Sequence, residues 1–162
     1  LLKLWCKGKN FYDKGQGINA ERLPTVIKGN ASEIQALYSH QIGMQGVDSH
    51  QETMSEKQAK KLAQQLSCII VVTGAIDFIT DGERMAYVHE GYPMMSKVTA
   101  MGCTATGIVG AFLAVNSDPL EASFHAMKAM EIAGERTASL SRGNGSMMIN
   151  FLDELYNLMA DD

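Results

Sequence analysis

The residues best suited to chemistry lie where a glycine-containing turn leads into an apolar helix. In the stretch 97–107 we expect residues 99–103 to form the turn and residues 104–115 to form the helix. The N–H groups that open a helix find no carbonyl partner within it, and the helix dipole adds partial positive charge there. The sequence therefore predicts an anion site suited to a phosphoryl group in transfer.

Cys103 lies at the predicted start of this helix and is the candidate reactive group. A helix N-terminus favours the thiolate form of cysteine, and a thiolate can accept a proton from a substrate hydroxyl. The alternative is a buried structural cysteine, because free cysteine is among the most buried residue types. The residues alone leave both interpretations open.

Strands and helices elsewhere in the chain must hold residues 97–107 in place, and the sequence shows alternating strand and helix patterns. A continuous apolar run over 68–73 is typical of a strand buried on both faces, and Asp81-Gly82 between two apolar runs predicts a hairpin. Asn30 followed by Glu33, and Ser55 before a helical pattern, indicate helix starts. The predicted strands are 23–28, 68–73, 76–80 and 85–89, and the predicted helices are 30–38, 55–66, 104–115, 119–140 and 147–159, with 143–146 as a loop.

This order predicts an α/β fold with a mostly parallel central sheet flanked by helices. Such sheets bind ligands at the carboxyl ends of their strands. We therefore expect chemistry in the loops after Lys28, Thr73 and Val98. Residues 1–22 are interpreted mostly as loop, and residues 23–162 as part of one domain.

Length, charge and cysteine content exclude several classes of protein and of partner. The chain has 162 residues, 46% of them hydrophobic, which is enough for one domain with a core. A formal net charge of −4 argues against nucleic acid or an anionic membrane as partner. No apolar run approaches the ~20 residues of a membrane span. Three cysteines without a CxxC pair argue against a disulfide framework or structural zinc, and favour reduced thiols in the cytoplasm.

Seven blocks, in order along the chain, resemble motifs of the hydroxyethylthiazole kinase family of ribokinase-like enzymes. Residues 26–34 are similar to its I-R-G-N-A-S-E-I block, 71–82 to V-V-T-G-E-x-D-Y-V-T-D-G, and 97–103 to K-V-T-G-T-G-C. Four shorter blocks, at 46–49, 133–135, 143–146 and 151–156, resemble its G-V-D-S, A-G-E, G-P-G-S and F-L-D-A-L-Y segments. One block alone is weak, but seven in family order are specific.

The resemblance implies a ribokinase-like fold whose N-terminal part is missing from this chain. It implies a homotrimeric enzyme that transfers a phosphoryl group from ATP, with Mg²⁺, to a small-molecule thiazole alcohol. That alcohol is 4-methyl-5-(2-hydroxyethyl)thiazole, phosphorylated on its hydroxyethyl group in thiamine salvage.

The resemblance also implies roles for the residues around Cys103. Cys103 matches a position that most ribokinase-like kinases hold as aspartate, which implies a general base. Ala100 matches a glycine that approaches the thiazole substrate. The implied anion hole is the backbone of Ala100, Met101, Gly102 and Cys103.

Two further sets of residues are implied at the strand ends. Lys28 matches an arginine implicated in ATP binding, and Thr73 and Gly74 match the ATP-side strand end, with a plain strand terminus as their alternative. Asn30 and Glu33 match a motif linked to magnesium, and a simple capping box is the alternative. Both interpretations can hold for that pair, because Glu33 can act on the metal through a water. Asp77 and Asp81 are expected to shape turns.

Three departures from the family pattern stand out. The family's N-terminal half is missing. Ala100 and Met101 stand where the family has Gly and Thr, Lys28 replaces arginine, and Ala75 replaces glutamate. An alanine is costly at position 100 if the backbone there needs a positive φ. These departures leave an alternative function open: a truncated or degenerate, non-catalytic relative that binds nucleotide or assembles with a partner.

Overall fold

The computed structural model describes residues 3–5, 12–13, 17–18, 24–42, 54–89 and 91–158. The chain divides into two compact units, Leu1–Tyr87 and Val88–Asp162. The polar, turn-rich residues 39–54 are predicted to form a loop, and this is wrong for residues 39–42, which are helical. Residues 43–53, with the G-V-D-S-like block at 46–49, lie outside the described residues.

The first unit is built on a five-stranded sheet. Its strands are β1 (Lys3–Trp5), β4 (Val26–Asn30), β5 (Ile69–Thr73), β6 (Asp77–Thr80) and β7 (Met85–Val88), and they lie side by side in that order. The strands β2 (Tyr12–Asp13) and β3 (Gly17–Ile18) form a separate two-stranded sheet. Residues 1–22, expected to be mostly loop, therefore contain three short strands.

Strand pairing follows from the lengths of the connections. Strand β4 lies parallel to β5, with Asn30 opposite Thr73 at their carboxyl ends. Only residues 74–76 join β5 to β6, and a connection this short reverses the chain, so these two strands are antiparallel. Strand β1 is also antiparallel to its neighbour β4. The α/β class with flanking helices is confirmed, and the sheet within the described residues is mixed, with one parallel pair.

Two helices, α1 (Ala31–Ile42) and α2 (Glu56–Leu66), pack on one face of this sheet. Both begin at the predicted caps. At α2 the Ser55 hydroxyl accepts from the Gln58 N–H at 3.3 Å, and the Gln58 side chain accepts from the Ser55 N–H at 3.0 Å. The core of this face includes Ile27, Ile34, Leu37, Leu62, Ile70 and Val72. Because strand side chains alternate, Lys28 and Val71 point to the opposite face.

The second unit contains a 3₁₀ helix (Pro93–Lys97) and the helices α3 (Met101–Val115), α4 (Pro119–Leu140) and α5 (Asn144–Asn157). Helix α4 packs against both α3 and α5, and α5 also contacts the 3₁₀ helix. Helix α4 has the predicted bounds because Asp118 caps it, accepting from the Leu120 N–H at 3.0 Å, and Pro119 fills the first position. Across the described parts of the chain, we find no helix with the length and apolar character needed to cross a lipid bilayer.

Two helices begin three residues earlier than the sequence predicts. Helix α3 begins at Met101 rather than Thr104, and α5 begins at Asn144 rather than Met147. The predicted turn is therefore wrong for residues 101–103, and the predicted loop is wrong after Gly143. The true start of α3 is set by a left-handed residue, Ala100, which reverses the chain just before the helix.

Candidate active site

The turn before α3 has the geometry of a type II turn. Ala100 has φ 66° and ψ 4°, and the Met101 N–H donates to the Val98 carbonyl oxygen at 3.4 Å. This turn requires a positive φ at its third residue, a conformation that glycine adopts readily and alanine resists. The condition under which Ala100 is costly is thus met. The family motif that this stretch resembles has glycine at the same place.

The residues of the predicted anion hole lie at Ala100 and in the first turn of α3. The Thr104 N–H donates to the Ala100 carbonyl at 2.9 Å and closes the first turn. The Gly102 and Cys103 N–H groups lie inside that turn and point out of the helix end, as α-helix geometry dictates. The Met101 N–H is drawn into the preceding turn by its bond to Val98. Of the four residues predicted, Met101 therefore has its N–H already engaged within the turn.

Cys103 is exposed, whereas Cys68, at the edge of the sheet core, is buried. The exposed thiol stands in the first turn of α3. The alternative of a buried structural cysteine therefore describes Cys68 and not Cys103.

A contact from a distant part of the chain holds the segment that leads into the turn. The Asn144 side-chain amide, at the start of α5, donates to the Lys97 carbonyl at 3.1 Å. The Ser146 hydroxyl oxygen accepts from the Arg142 and Gly143 N–H groups at 3.0 and 3.3 Å, which fixes that helix start. Sequence reasoning missed Asn144. The available signal was that asparagine replaces the proline of the family's G-P-G-S block.

In the first unit, the ends of β4 and β5 bring Asn30 beside Thr73. The Asn30 side-chain oxygen accepts from the Glu33 N–H at 2.9 Å, and Glu33 Oε2 accepts from the Asn30 N–H at 2.9 Å. The capping box is therefore present. It orients the Glu33 carboxylate at the carboxyl end of β4, where a ligand of this sheet is expected.

The candidate phosphate-binding groups at the end of β5 are engaged within the first unit. The Gly74 N–H donates to Asp77 Oδ1 at 2.8 Å, and the Thr73 hydroxyl donates to the Gly29 carbonyl at 3.4 Å. The first bond closes the short connection between β5 and β6. A phosphate would have to compete with Asp77 for the Gly74 N–H.

Lys28 is buried in the middle of β4, with 7% of its surface exposed, on the sheet face opposite α1 and α2. Asp77 is also 7% exposed. Burial raises the pKa of the Asp77 carboxyl above its ordinary value, while the Gly74 N–H and the positive charge of Lys28 act in the opposite direction. The two side chains thus influence each other electrostatically within the buried face.

The predicted turn roles of Asp77 and Asp81 are confirmed. Asp77 holds the Gly74 N–H, as described. Asp81 accepts from the Glu83 and Arg84 N–H groups at 2.9 and 2.7 Å and pairs with the Arg84 guanidinium at 2.7 Å. These bonds build the hairpin between β6 and β7.

The residues present fit a magnesium ion that keeps most of its water. Within the described ranges there is no group of three or more His, Cys, Asp or Glu side chains able to hold a metal. Glu33 supplies one carboxylate, and the Asn30 side-chain oxygen is taken by the cap. Mg²⁺ commonly uses one or two carboxylates together with water and substrate phosphates, so a single carboxylate suffices for its protein share.

The chain is similar to one family of kinases along most of its length. A model of the hydroxyethylthiazole kinase family matches residues 15–161, a range that contains all the candidate site residues. A hydroxyethylthiazole kinase of Desulfotalea psychrophila is 45% identical over 145 residues, which cover 89% of this chain and 53% of that protein. One of Cereibacter sphaeroides is 42% identical over 156 residues, which cover 95% of this chain and 59% of that protein. The chain thus spans about half the length of the curated relatives it matches.

Solved structures show the same likeness in the fold. A hydroxyethylthiazole kinase protein of Pyrococcus horikoshii matches with a TM-score of 0.71 and 32% identity, over 82% of this chain and 48% of that one. A hypothetical protein of Streptococcus mutans matches with a TM-score of 0.66 and 16% identity, over 84% of this chain and 46% of that one. The second likeness is one of fold alone.

Proposed function

We propose that this chain, which belongs to the hydroxyethylthiazole kinase family, is the nucleotide-binding part of an ATP-dependent kinase of a small alcohol. The proposed acceptor is the hydroxyethyl group of 4-methyl-5-(2-hydroxyethyl)thiazole, in thiamine salvage. The chain spans about half the length of its relatives. The activity is therefore proposed for the whole protein that contains this chain.

The observation that carries this proposal is an exposed Cys103 in the first turn of α3, directly after a type II turn. The Cys103 thiolate removes the proton of the substrate hydroxyl. The resulting oxygen bonds to the terminal phosphorus of ATP, and the bond from that phosphorus to ADP breaks. The Gly102 and Cys103 N–H groups stabilise the charge that grows on the phosphoryl oxygens.

The strand ends of the first unit are proposed to serve the nucleotide. Glu33, oriented by its bond with Asn30, would hold a water of the magnesium ion. The ion supplies charge neutralisation to the phosphates when bound. Thr73 and Gly74 would meet a phosphate through their hydroxyl and N–H once the bonds to Gly29 and Asp77 are exchanged. Lys28, although buried, would contribute long-range positive charge rather than a bidentate contact.

A homotrimer in the cytoplasm completes the proposal. The resemblance to the family supports the trimer. Helix α5 also leaves apolar side chains exposed that an interface could cover, namely Met148, Ile149, Leu152 and Tyr156. The cytoplasmic location is supported by the sequence, whose three cysteines include no CxxC pair.

A coupled ADP-release assay with the thiazole alcohol and Mg-ATP tests the function in the intact protein. Cys103→Ala should lower turnover by about 10²- to 10⁴-fold, the usual contribution of a general base. Cys68→Ala removes the buried thiol and should keep the turnover, which controls for loss of a cysteine as such. Full turnover by Cys103→Ala would refute the role of Cys103. A folded protein that binds ATP without turnover would instead identify a non-catalytic relative.

A further inference from the structure

We propose that Asn144 is a positioning residue that clamps the anion-binding turn, an inference that rests on the proposed kinase function. Its side-chain amide donates to the Lys97 carbonyl at 3.1 Å across 47 residues of sequence. Lys97 is the last residue of the 3₁₀ helix and directly precedes Val98, the first residue of the turn. The bond therefore fixes the point from which the turn starts.

The chemistry of the contact requires the amide group of asparagine. A carbonyl oxygen accepts hydrogen bonds only, so the group that faces the Lys97 oxygen must be the NH₂ of Asn144. The family block that residues 143–146 resemble, G-P-G-S, has proline here, and proline offers no side-chain donor.

The turn needs outside support because it is strained and weakly closed. Ala100 holds a left-handed conformation with φ 66°, which alanine resists. The bond that closes the turn, from the Met101 N–H to the Val98 oxygen, is long at 3.4 Å. A glycine at position 100 would adopt the same conformation without strain. We therefore expect the hydrogen bond from Asn144 to support the turn against the strain at Ala100.

The position of the turn determines where the proposed catalytic groups of Gly102 and Cys103 lie. Gly102 and Cys103 follow Ala100 by two and three residues in the first turn of α3. If the turn relaxes, their N–H groups and the Cys103 sulfur move with it. A displacement of about 1 Å can lower a rate about 100-fold. Because Asn144 is proposed to act through the Lys97 carbonyl rather than on a substrate, its loss should lower kcat and leave the KM values nearly unchanged.

Asn144→Asp is the sharpest variant, because it keeps the size of the side chain and removes its donor. A carboxylate at the first residue of α5 also suits the helix dipole, so the helix start should persist. We expect kcat for the thiazole alcohol to fall about tenfold, the effect of about one hydrogen bond on the barrier. The KM for ATP and for the alcohol should stay within about twofold, as for a loss confined to the transition state.

Asn150→Asp is the matched control on the same helix. The Asn150 side-chain amide donates to the Leu140 carbonyl at 3.0 Å and to the Ser141 hydroxyl at 3.1 Å, at the end of α4 rather than to the segment that leads into the turn. This variant should lower the melting temperature and leave kcat at the wild-type value. If Asn144→Asp lowers kcat no more than Asn150→Asp does, the positioning role is refuted.

A second-site change at Ala100 tests the pairing. In the background of Ala100→Gly, Asn144→Asp should cost only about two- to threefold in kcat, because glycine holds the turn by itself. The shift in melting temperature caused by Asn144→Asp should shrink in that background as well. Equal effects in both backgrounds would refute the clamp. If the wild-type protein has no thiazole-dependent turnover, the proposed function fails, and the melting temperatures alone decide on the clamp.

Discussion

Replacing Ala100 by glycine should stabilise the protein, although glycine usually weakens a helix. Ala100 has φ 66° and precedes α3, so its methyl group resists the conformation it is held in. A left-handed L-residue costs about 1–2 kcal/mol. Glycine loses more backbone entropy on folding, by about 0.5–1 kcal/mol. The difference predicts a gain in the free energy of unfolding of up to about 1.5 kcal/mol, with a middle value of about 0.8 kcal/mol.

Ala111→Gly, in the same helix, is the matched control. Ala111 is exposed and lies inside α3, where glycine should lower the free energy of unfolding by about 0.5–1 kcal/mol. The two variants carry the same chemical change, so a chemical denaturation series compares them directly. We expect midpoints on opposite sides of the wild type, with equal slopes. If Ala100→Gly destabilises the protein as much as Ala111→Gly does, the left-handed strain is refuted.

Three further predictions concern the base, a buried carboxyl and the hairpin. Cys103→Asp places the group that most ribokinase-like kinases have there, and it should retain more turnover than Cys103→Ala; equal loss in both would contradict a general base. Folding raises the pKa of Asp77 above its ordinary 3.8, so the stability that this group contributes is present below pH 3.8 and is lost as the pH rises through the raised pKa. Asp77→Asn should therefore gain stability relative to the wild type as the pH rises through that window, and a constant difference in urea midpoints would contradict the shift. Gly82→Ala should lower the free energy of unfolding by about 2 kcal/mol or more, because Gly82 has φ 100° and an added Cβ would collide with Gln64 Cγ. Gly107→Ala, inside α3 with nothing near its Cβ, should instead be neutral or stabilising.

Most helices and strands could be predicted because the residues that start or end them lie close together in the sequence. The capping boxes at Asn30 and Ser55, the cap at Asp118 and the Asp81 hairpin each depend on groups two or three residues apart. Such short-range bonds form in nearly any surroundings, so the sequence is enough to locate them. The start of α3 was misplaced because it depends on the left-handed Ala100, and alanine gives no local sign of that conformation.

Some features of the candidate site could likewise be predicted from the sequence, whereas others required the structure. The sequence singled out the glycine turn and Cys103, because a reactive residue type beside a helix start is visible in the order of residues. Whether that thiol was exposed was decided only in three dimensions, and the same is true of the burial of Lys28. Cys68 and Cys103 both have apolar neighbours in the sequence, yet Cys68 is buried and Cys103 is exposed.

The sequence by itself determined the α/β class, the family resemblance and the residue types at the site, because these depend on neighbouring residues and on patterns along the chain. Tertiary structure alone decided that the Gly74 N–H is held by Asp77 and that Asn144 reaches Lys97 from 47 residues away. Such bonds exist only after the backbone has brought their partners together. Nothing in the one-dimensional order of residues specifies which distant carbonyl a side-chain amide will meet.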